Sequence, residues 1–269
     1  MYDFHFGSKE EIRDRDEDFL IFIKRLLPRW VNGIPDSECL AIYRILKNLD
    51  TKNPILVETG CGASTIAMFL YCALYEGKMY SWDTNGSKGS FLRTVISESI
   101  GRPLDVNTYD IWTFIAFDST SEFVGLPILD ELNEKADFGF FDSWHTLDHL
   151  LSEINCFETI AKNEFVVLLD DAHYRNKSNN FSYVNMMRNK LNLPPIEEPS
   201  SNLCKPFHKE IDKYLTKKYK IVKRIEDTYK KEFKQDIFFD YFSSERKSME
   251  KHGMVEMTQH RLEGFKVNK

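Results

Sequence analysis

Several patterns that classify a protein quickly are missing from this sequence. Its five cysteines include no Cys-x-x-Cys pair and no dense framework, so we expect reduced thiols in a cytoplasmic protein rather than disulfides in a secreted one. The early apolar run at residues 19–23 ends at Lys24 and Arg25. It is too short to cross a bilayer and lacks the flanks of a signal peptide, so we expect no transmembrane segment.

An excess of positive charge is also missing. The 269 residues carry 36 Lys and Arg against 42 Asp and Glu, a formal net charge of −6. A nucleic-acid-binding domain normally has a dominant basic field, so we expect no nucleic-acid partner. With 42% hydrophobic residues, the chain is long enough to bury one large core. A small-molecule or carbohydrate partner and a homo-oligomer both remain open.

The sequence does contain one distinctive turn. The apolar run Ile55-Leu56-Val57 leads into Glu58-Thr59-Gly60-Cys61-Gly62-Ala63-Ser64, and an apolar helical pattern follows at residues 66–70. We interpret this as a buried strand, a tight turn and a helix N-terminus. Glycine permits positive φ and close approach of a ligand, and exposed amide groups at the start of a helix attract negative charge. The turn therefore predicts a site for a nucleotide-like cofactor.

The residue at position 65 decides which cofactor is expected. A dinucleotide fingerprint, Gly-x-Gly-x-x-Gly, requires a glycine where this chain has Thr65. The Glu58 carboxylate under the loop would repel a pyrophosphate and attract a cationic amino-acid end. S-adenosylmethionine carries such an end. The alternative is an ordinary glycine-containing turn that binds nothing.

The stretch from Val57 to Ser64 resembles motif I of the class I S-adenosylmethionine-dependent methyltransferases. The resemblance covers about residues 54–243. It implies that S-adenosylmethionine binds at this loop, with five cofactor-binding residues: Glu58, Gly60, Cys61, Gly62 and Ser64.

Further apolar runs predict the rest of the fold. Strands are expected at residues 78–83, 113–117, 138–141 and 165–169, with helical patterns between them. Continuous apolar runs are typical of parallel strands buried on both faces. The alternation predicts a Rossmann-like, doubly wound α/β sheet with ligands at the carboxyl ends of its strands. Two β-rich segments, 219–225 and 236–242, match the antiparallel hairpin that completes the seven-stranded methyltransferase sheet.

The predicted layout has three parts. Residues 1–53 form an N-terminal helical extension, with helices at about 9–27 and 36–48. Residues 54–243 form the methyltransferase domain, in which 175–218 supply a lid and a helix. Residues 244–269 are a polar tail, expected as a surface helix or a disordered end.

Polar residues follow the second and third predicted strands. Asp83 lies about twenty residues beyond the glycine loop, where an acid can hydrogen-bond ribose hydroxyls. Asp118 and Ser119 follow the third strand, and the methyltransferase resemblance implies that they meet the adenine edge. Helix capping is the alternative, since Asp and Ser are preferred capping residues.

Acids follow the fourth and fifth predicted strands. Asp142 comes after one, and Asp170 and Asp171 come after the other. Neighbouring strand ends lie about 5 Å apart, so these carboxylates can converge and would repel unless they share a proton or a cation. Mg²⁺ or Mn²⁺ suits oxygen ligands. The arrangement resembles the metal-dependent O-methyltransferases of the catechol and macrocin kinds.

The segment after the fourth strand carries a second resemblance. Asp142-x-x-His145 resembles the Asp-Gly-x-His motif of a broad bacterial methyltransferase family, with Ser143 in place of the glycine. His145 and His149 have the i, i+4 spacing of a helical metal pair. Thr146 is a plausible N-cap that would leave His145 outside the helix, so zinc is not predicted.

These features predict methyl transfer from S-adenosylmethionine to a hydroxyl of a small molecule or glycan. A divalent metal held by Asp142 would lower the hydroxyl pKa, and His145 or His173 would take the proton. Each histidine is also explained as a helix cap or surface residue. Two other functions stay open: a non-catalytic S-adenosylmethionine-binding regulatory module, and an NAD(P)-dependent oxidoreductase on a similar sheet.

Overall fold

The computed structural model describes residues 6–144, 146–170, 172, 188–190, 192, 194, 206–226 and 262–269. The helices and strands follow in chain order: α1 (Lys9–Asp14), α2 (Asp16–Leu26), α3 (Asp36–Lys47), β1 (Ile55–Thr59), α4 (Ala63–Tyr75), β2 (Lys78–Trp82), α5 (Gly86–Ile96), a π-helical turn (Ser97–Gly101), α6 (Arg102–Leu104), α7 (Thr108–Ile111), β3 (Trp112–Ile115), α8 (Ile128–Glu131), β4 (Ala136–Phe141), α9 (Leu147–Ile160), β5 (Ala161–Leu169), α10 (Phe207–Lys218), β6 (Lys220–Glu226) and β7 (Glu263–Asn268).

The strands form one seven-stranded sheet in the order β3-β2-β1-β4-β5-β7-β6. Strands β1 to β5 pair in parallel, and β7 pairs antiparallel with both β5 and β6. This confirms the predicted Rossmann-like, doubly wound sheet. Since β1 pairs with β2 on one side and β4 on the other, the strand order reverses between β1 and β4, where such sheets bind ligands.

Successive side chains of a strand point to opposite faces of the sheet. Because the strands are apolar at successive positions, both faces are apolar and helices cover both. Leu56 of β1 packs into a core cluster with α2, α3 and α4, whereas Val57 packs into a second cluster with α9 and α10. Strand β4 is buried at all six positions. These continuous apolar runs are the signal that identified the parallel strands.

The N-terminal helices are part of the first core cluster. Leu20 and Tyr43 are fully buried in it, and the Cys39 thiol lies 3.6 Å from the Ala63 carbonyl oxygen at the start of α4. A buried ion pair joins Lys24 of α2 to Asp36 of α3 at 2.9 Å. The predicted first helix is interrupted at Arg15, so α1 and α2 are separate helices.

The C-terminal segment corrects one prediction. Residues 263–268, expected in a polar tail, form β7 between β5 and β6. Phe265 and Val267 face the second core cluster, and Gly264 fits closely against the Val167 carbonyl oxygen. Strand β6 matches the first predicted hairpin strand, and its antiparallel partner is β7. The predicted partner, residues 236–242, lies outside the described residues, as does most of the predicted lid at 175–201.

Within the residues described, no helix is both long and apolar enough to cross a membrane.

Candidate active site

The glycine loop after β1 is held against the end of β4. Gly60 has φ +85°, and a Cβ atom there would lie 1.9 Å from the Asp142 carbonyl oxygen. Gly62 has φ 178°, an extended conformation open to any residue, and its Cβ position lies 3.2 Å from the Val31 carbonyl oxygen. Gly60 is therefore required by a backbone contact inside the protein.

Three amide groups of this loop donate to acceptors within the protein. The Gly60 amide donates to the Trp82 carbonyl oxygen at 2.8 Å. The Cys61 amide donates to the Asp83 carboxylate at 3.0 Å, and the Gly62 amide donates to the Thr65 hydroxyl at 2.9 Å. The loop is thereby tied to β2 and to the first turn of α4.

Glu58 lies beneath the loop, as predicted, and is fully buried. Its carboxylate accepts hydrogen bonds from the hydroxyls of Ser64 at 2.6 Å, Thr65 at 2.8 Å and Ser81 at 2.9 Å. The Ser81 hydroxyl also accepts from the Trp112 indole at 3.0 Å. Glu58 is thus the common acceptor of a network that joins β1, β2, β3 and α4.

Burial raises the pKa of the Glu58 carboxyl to about 7, although the three hydroxyl donors act in the opposite direction. Nearby Asp142 raises it further because a second negative charge disfavours ionisation.

A cavity of about 440 Å³ opens at the carboxyl ends of β1 to β4. Its walls come from the glycine loop, the segments after β2, β3 and β4, and the first turns of α5 and α9. The lining residues are Gly60, Trp82, Asp83, Thr84, Lys88, Phe117, Asp118, Ser119, Asp142, Ser143, Trp144 and His149. Its volume falls within the range of small-molecule sites.

Negative charge predominates on the cavity walls. Asp83, Asp118 and Asp142 face one lysine, Lys88, whose ammonium lies 3.0 Å from the Asp83 carboxylate. Partial burial lowers the pKa of Lys88, but the attraction of Asp83 more than offsets it and the pKa is raised overall. Lys88 is therefore charged at neutral pH.

Asp118 and Ser119 line the cavity but also make contacts inside the protein. The Asp118 carboxylate accepts from the Thr120 hydroxyl at 2.7 Å and the Thr120 amide at 2.8 Å, and these bonds lower its pKa. These bonds close a turn within the loop and are not the helix cap considered from the sequence, because the next helix, α8, begins only at Ile128, with Pro127 at its N-cap. The Ser119 hydroxyl donates to Glu153 of α9 at 2.5 Å.

Asp142 and Asp170 follow neighbouring positions of two paired strands. Phe141 pairs with Leu169, and the Asp170 amide donates to the Phe141 carbonyl oxygen at 3.1 Å. Asp142 lines the cavity, whereas Asp170 is 5% exposed. In the part of the chain that the structure describes, no three His, Cys, Asp or Glu side chains are grouped to hold a metal. Asp171 lies outside that part.

The structure thus divides the predicted site residues into three groups. Five line one cavity: Gly60, Asp83, Asp118, Ser119 and Asp142. Five are not among its lining residues and belong to the end of β1, the glycine loop, the first turn of α4 or the end of β5: Glu58, Cys61, Gly62, Ser64 and Asp170. Three lie outside the described residues: His145, Asp171 and His173.

Sequence reasoning did not identify two polar residues at this site. Lys88 pairs with Asp83 five positions earlier, and the only signal in the sequence was its place in the first turn of α5. Glu153 is 1% exposed on α9. An acid at i+4 from His149 was the available signal.

The strand order and the position of the cavity define a Rossmann-like fold, and several solved structures are similar to this chain. YjhP from E. coli is similar with a TM-score of 0.50 and 11% identity, over 93% of this chain and 98% of that one. The O-methyltransferase from Bacillus cereus in complex with S-adenosylhomocysteine (SAH) gives 0.49 and 12%, over 97% and 96% of the two chains. The SAH-bound Podospora anserina methyltransferase PaMTH1 gives 0.47 and 11%, over the full length of both. No family model and no curated protein matches the sequence.

Proposed function

We propose that this chain is an S-adenosylmethionine-dependent methyltransferase that methylates a hydroxyl of a small molecule or carbohydrate. The observation that carries the proposal is the charge of the cavity at the β1/β4 switch point. Three carboxylates and one lysine surround it. A sulfonium cation is attracted to such walls, whereas the pyrophosphate of a dinucleotide is repelled.

The glycine loop supports the same choice. A dinucleotide-binding loop directs backbone amides at the pyrophosphate. Here the amides of Gly60, Cys61 and Gly62 already donate to acceptors inside the protein. This disfavours the NAD(P)-dependent alternative.

Five of the eight residues that were predicted to bind the cofactor have a specific part in the proposal. Asp83 hydrogen-bonds the ribose hydroxyls, and Asp118 with Ser119 meets the adenine edge. Gly60 lets the loop lie close to the end of β4. Glu58 acts from beneath, because it fixes the hydroxyls of the first turn of α4 and does not line the cavity.

The proposal also includes a divalent metal ion. Asp142 and Asp170 offer oxygen ligands that suit Mg²⁺ or Mn²⁺, and the sequence adds Asp171 as a proposed third ligand. When bound, the metal would lower the pKa of the acceptor hydroxyl. The adjacent strand ends of β4 and β5 support the pairing of Asp142 with Asp170.

Exposed aromatic side chains at the cavity suit the proposed acceptor. Phe117 is 58% exposed and Trp144 is 67% exposed, and both line the cavity. Such rings stack on a sugar or an aromatic ring. We infer that they help to orient the acceptor, since alignment of the reacting atoms supplies much of the rate enhancement in a two-substrate transfer.

Calorimetric titration tests the cofactor. We expect SAH to bind with micromolar affinity and NAD⁺ not to bind. Asp83→Asn should weaken SAH binding by about tenfold or more, because a charged hydrogen-bond acceptor contributes about 1.5–3 kcal/mol. Asp110→Asn is the matched control, since Asp110 is exposed on α7 and does not line the cavity. Binding of NAD⁺ in preference to SAH would overturn the proposal.

The metal is tested separately. Mg²⁺ or Mn²⁺ should bind to the wild type and lose affinity in Asp142→Asn, measured by calorimetry against a sample treated with chelator. Equal metal binding by both proteins would remove Asp142 from the proposed site and leave the cofactor assignment intact.

A further inference from the structure

A buried carboxylate joins three polar side chains beside the cavity. One oxygen of Glu153 accepts from the Ser119 hydroxyl at 2.5 Å and from the Ser143 hydroxyl at 2.7 Å. Nε2 of His149 lies 3.3 Å from the same oxygen. Ser119 follows β3, Ser143 follows β4, and His149 and Glu153 lie one turn apart on α9. The cluster therefore joins three elements of the cavity wall.

The two members on α9 differ in exposure. The Glu153 side chain is 1% exposed, whereas that of His149 is 21% exposed and lines the cavity. The carboxylate is held in place by the two serines, and the imidazole is held by the carboxylate. The ring therefore presents a fixed orientation at a surface that a ligand can reach.

We propose that His149, oriented by Glu153, takes the proton of the acceptor hydroxyl in this cavity. The inference rests on the proposed methyltransferase function. When Nε2–H donates to Glu153, the nitrogen with the lone pair is Nδ1. The acceptor oxygen forms a bond to the methyl carbon, the carbon–sulfur bond breaks with its electron pair moving to sulfur, and the hydroxyl proton passes to Nδ1.

The charges around His149 suit this step. The hydrogen bond to Glu153 raises the pKa of the imidazole, partial burial acts against it, and Asp118 adds a smaller attraction from the loop after β3. Lys88, Asp83 and Asp142 line the same cavity. An imidazolium formed by proton transfer is thus stabilised by a carboxylate already in contact with it. Glu153 is a positioning residue in this scheme, because it acts through His149.

Nuclear magnetic resonance of ¹⁵N-histidine-labelled full-length protein tests the pair without an acceptor. The His149 signals are assigned by their loss in His149→Gln, and the pH is then varied. In Glu153→Gln the His149 pKa should fall by about one unit, since a nearby opposite charge favours the protonated form. Asp148→Asn removes an exposed neighbouring carboxylate and should leave the pKa within about 0.3 units. No change in Glu153→Gln overturns the pairing.

The same titration, repeated with ligands, tests the role at the reacting atoms. The sulfonium of bound S-adenosylmethionine should lower the His149 pKa relative to the complex with SAH, which has a neutral sulfur there. Equal pKa values in two complexes that calorimetry shows to be saturated would overturn the inference and leave the cofactor assignment standing. Failure of both ligands to bind would instead overturn the proposed function, and the inference with it.

Discussion

Glu58 is an ionisable side chain without contact to solvent. Its three hydroxyl donors come from Ser64, Thr65 and Ser81, and Thr65 also accepts from the Gly62 amide. A single carboxyl therefore links the interior of the sheet to the shape of the glycine loop. Because burial disfavours the charged form, the folded state favours its protonation.

We predict that this residue makes the free energy of unfolding depend on pH. The folded pKa of Glu58 is about 7, against 4.5 for an unperturbed glutamate. A carboxyl whose pKa is raised by folding stabilises the protein fully below the unfolded pKa, and this stabilisation is lost as pH rises to the folded pKa. Between pH 4.5 and 7 the wild type should lose on the order of 3 kcal/mol relative to Glu58→Gln.

Urea unfolding at several pH values measures this difference. Glu131→Gln serves as the control, because it makes the same chemical change at an exposed residue of α8. A constant difference between the wild type and Glu58→Gln across this range would contradict the prediction.

A second prediction concerns the stability cost of replacing the two glycines of the loop. Gly60→Ala forces a Cβ to within 1.9 Å of a backbone oxygen at φ +85°, whereas Gly62→Ala meets an oxygen at 3.2 Å in an extended conformation. Gly60→Ala should lower the free energy of unfolding by at least about 2 kcal/mol. Gly62→Ala should cost clearly less, and equal losses in thermal unfolding would refute the distinction.

At the scale of elements, the N-terminal helices share a core with the sheet. Fully buried side chains of α2 and α3 lie in the same cluster as those of α4 and β1. The Gly62 Cβ position also lies 3.2 Å from the carbonyl oxygen of Val31, in the connection between α2 and α3. The extension thus supports the glycine loop from outside the sheet.

A substitution in α2 tests this support. Leu20→Ala removes a fully buried side chain and should cost about 2–5 kcal/mol in one cooperative transition. Leu26→Ala, in the same helix, changes a side chain that is 57% exposed and should have little effect. A separate early transition for Leu20→Ala, monitored by circular dichroism, would show instead that the extension unfolds independently.

How far the sequence predicts these elements depends on the length of their apolar runs. Strands β1, β4 and β5 were predicted because a parallel strand buried on both faces needs a continuous run. Strand β7 has the mixed sequence Glu-Gly-Phe-Lys-Val-Asn, with only Phe265 and Val267 on the core side. That pattern is too short to distinguish a strand from a polar tail.

The residues of the candidate site also differ in how far the sequence predicts them. Strand ends gave Asp83, Asp118 and Asp142, because the carboxyl ends of parallel strands meet at one edge. Lys88 and Glu153 were not predicted, because their place in the site depends on partners that lie on other elements or one helical turn away. Such pairs depend on tertiary packing, which no local pattern encodes.

At the scale of the whole molecule, β7 holds the sheet together at one end. It pairs with β5 over residues 263–268 on one side and with β6 on the other. Strand β6 is therefore connected to the parallel strands only through β7, as far as the described pairings go.

Two variants at one position separate the backbone of β7 from its side chains. Val267 is fully buried. Val267→Pro removes an amide in a strand paired on both sides and should lower the free energy of unfolding by at least about 2 kcal/mol more than Val267→Ala. Urea unfolding measures both. Equal losses would mean that side-chain packing alone accounts for the role of this strand.

Because β7 follows the other described strands in the chain, it is the last of them to be synthesised. A ribosome delivers the chain from the N-terminus at about 5–20 residues per second. The parallel strands β1 to β5 and strand β6 all emerge before residues 263–268. Until then the edge of β5 that β7 covers has no partner among the described strands, and an uncovered strand edge is the kind of surface that joins strands of other chains. The nascent protein is therefore more prone to aggregate until β7 pairs with β5.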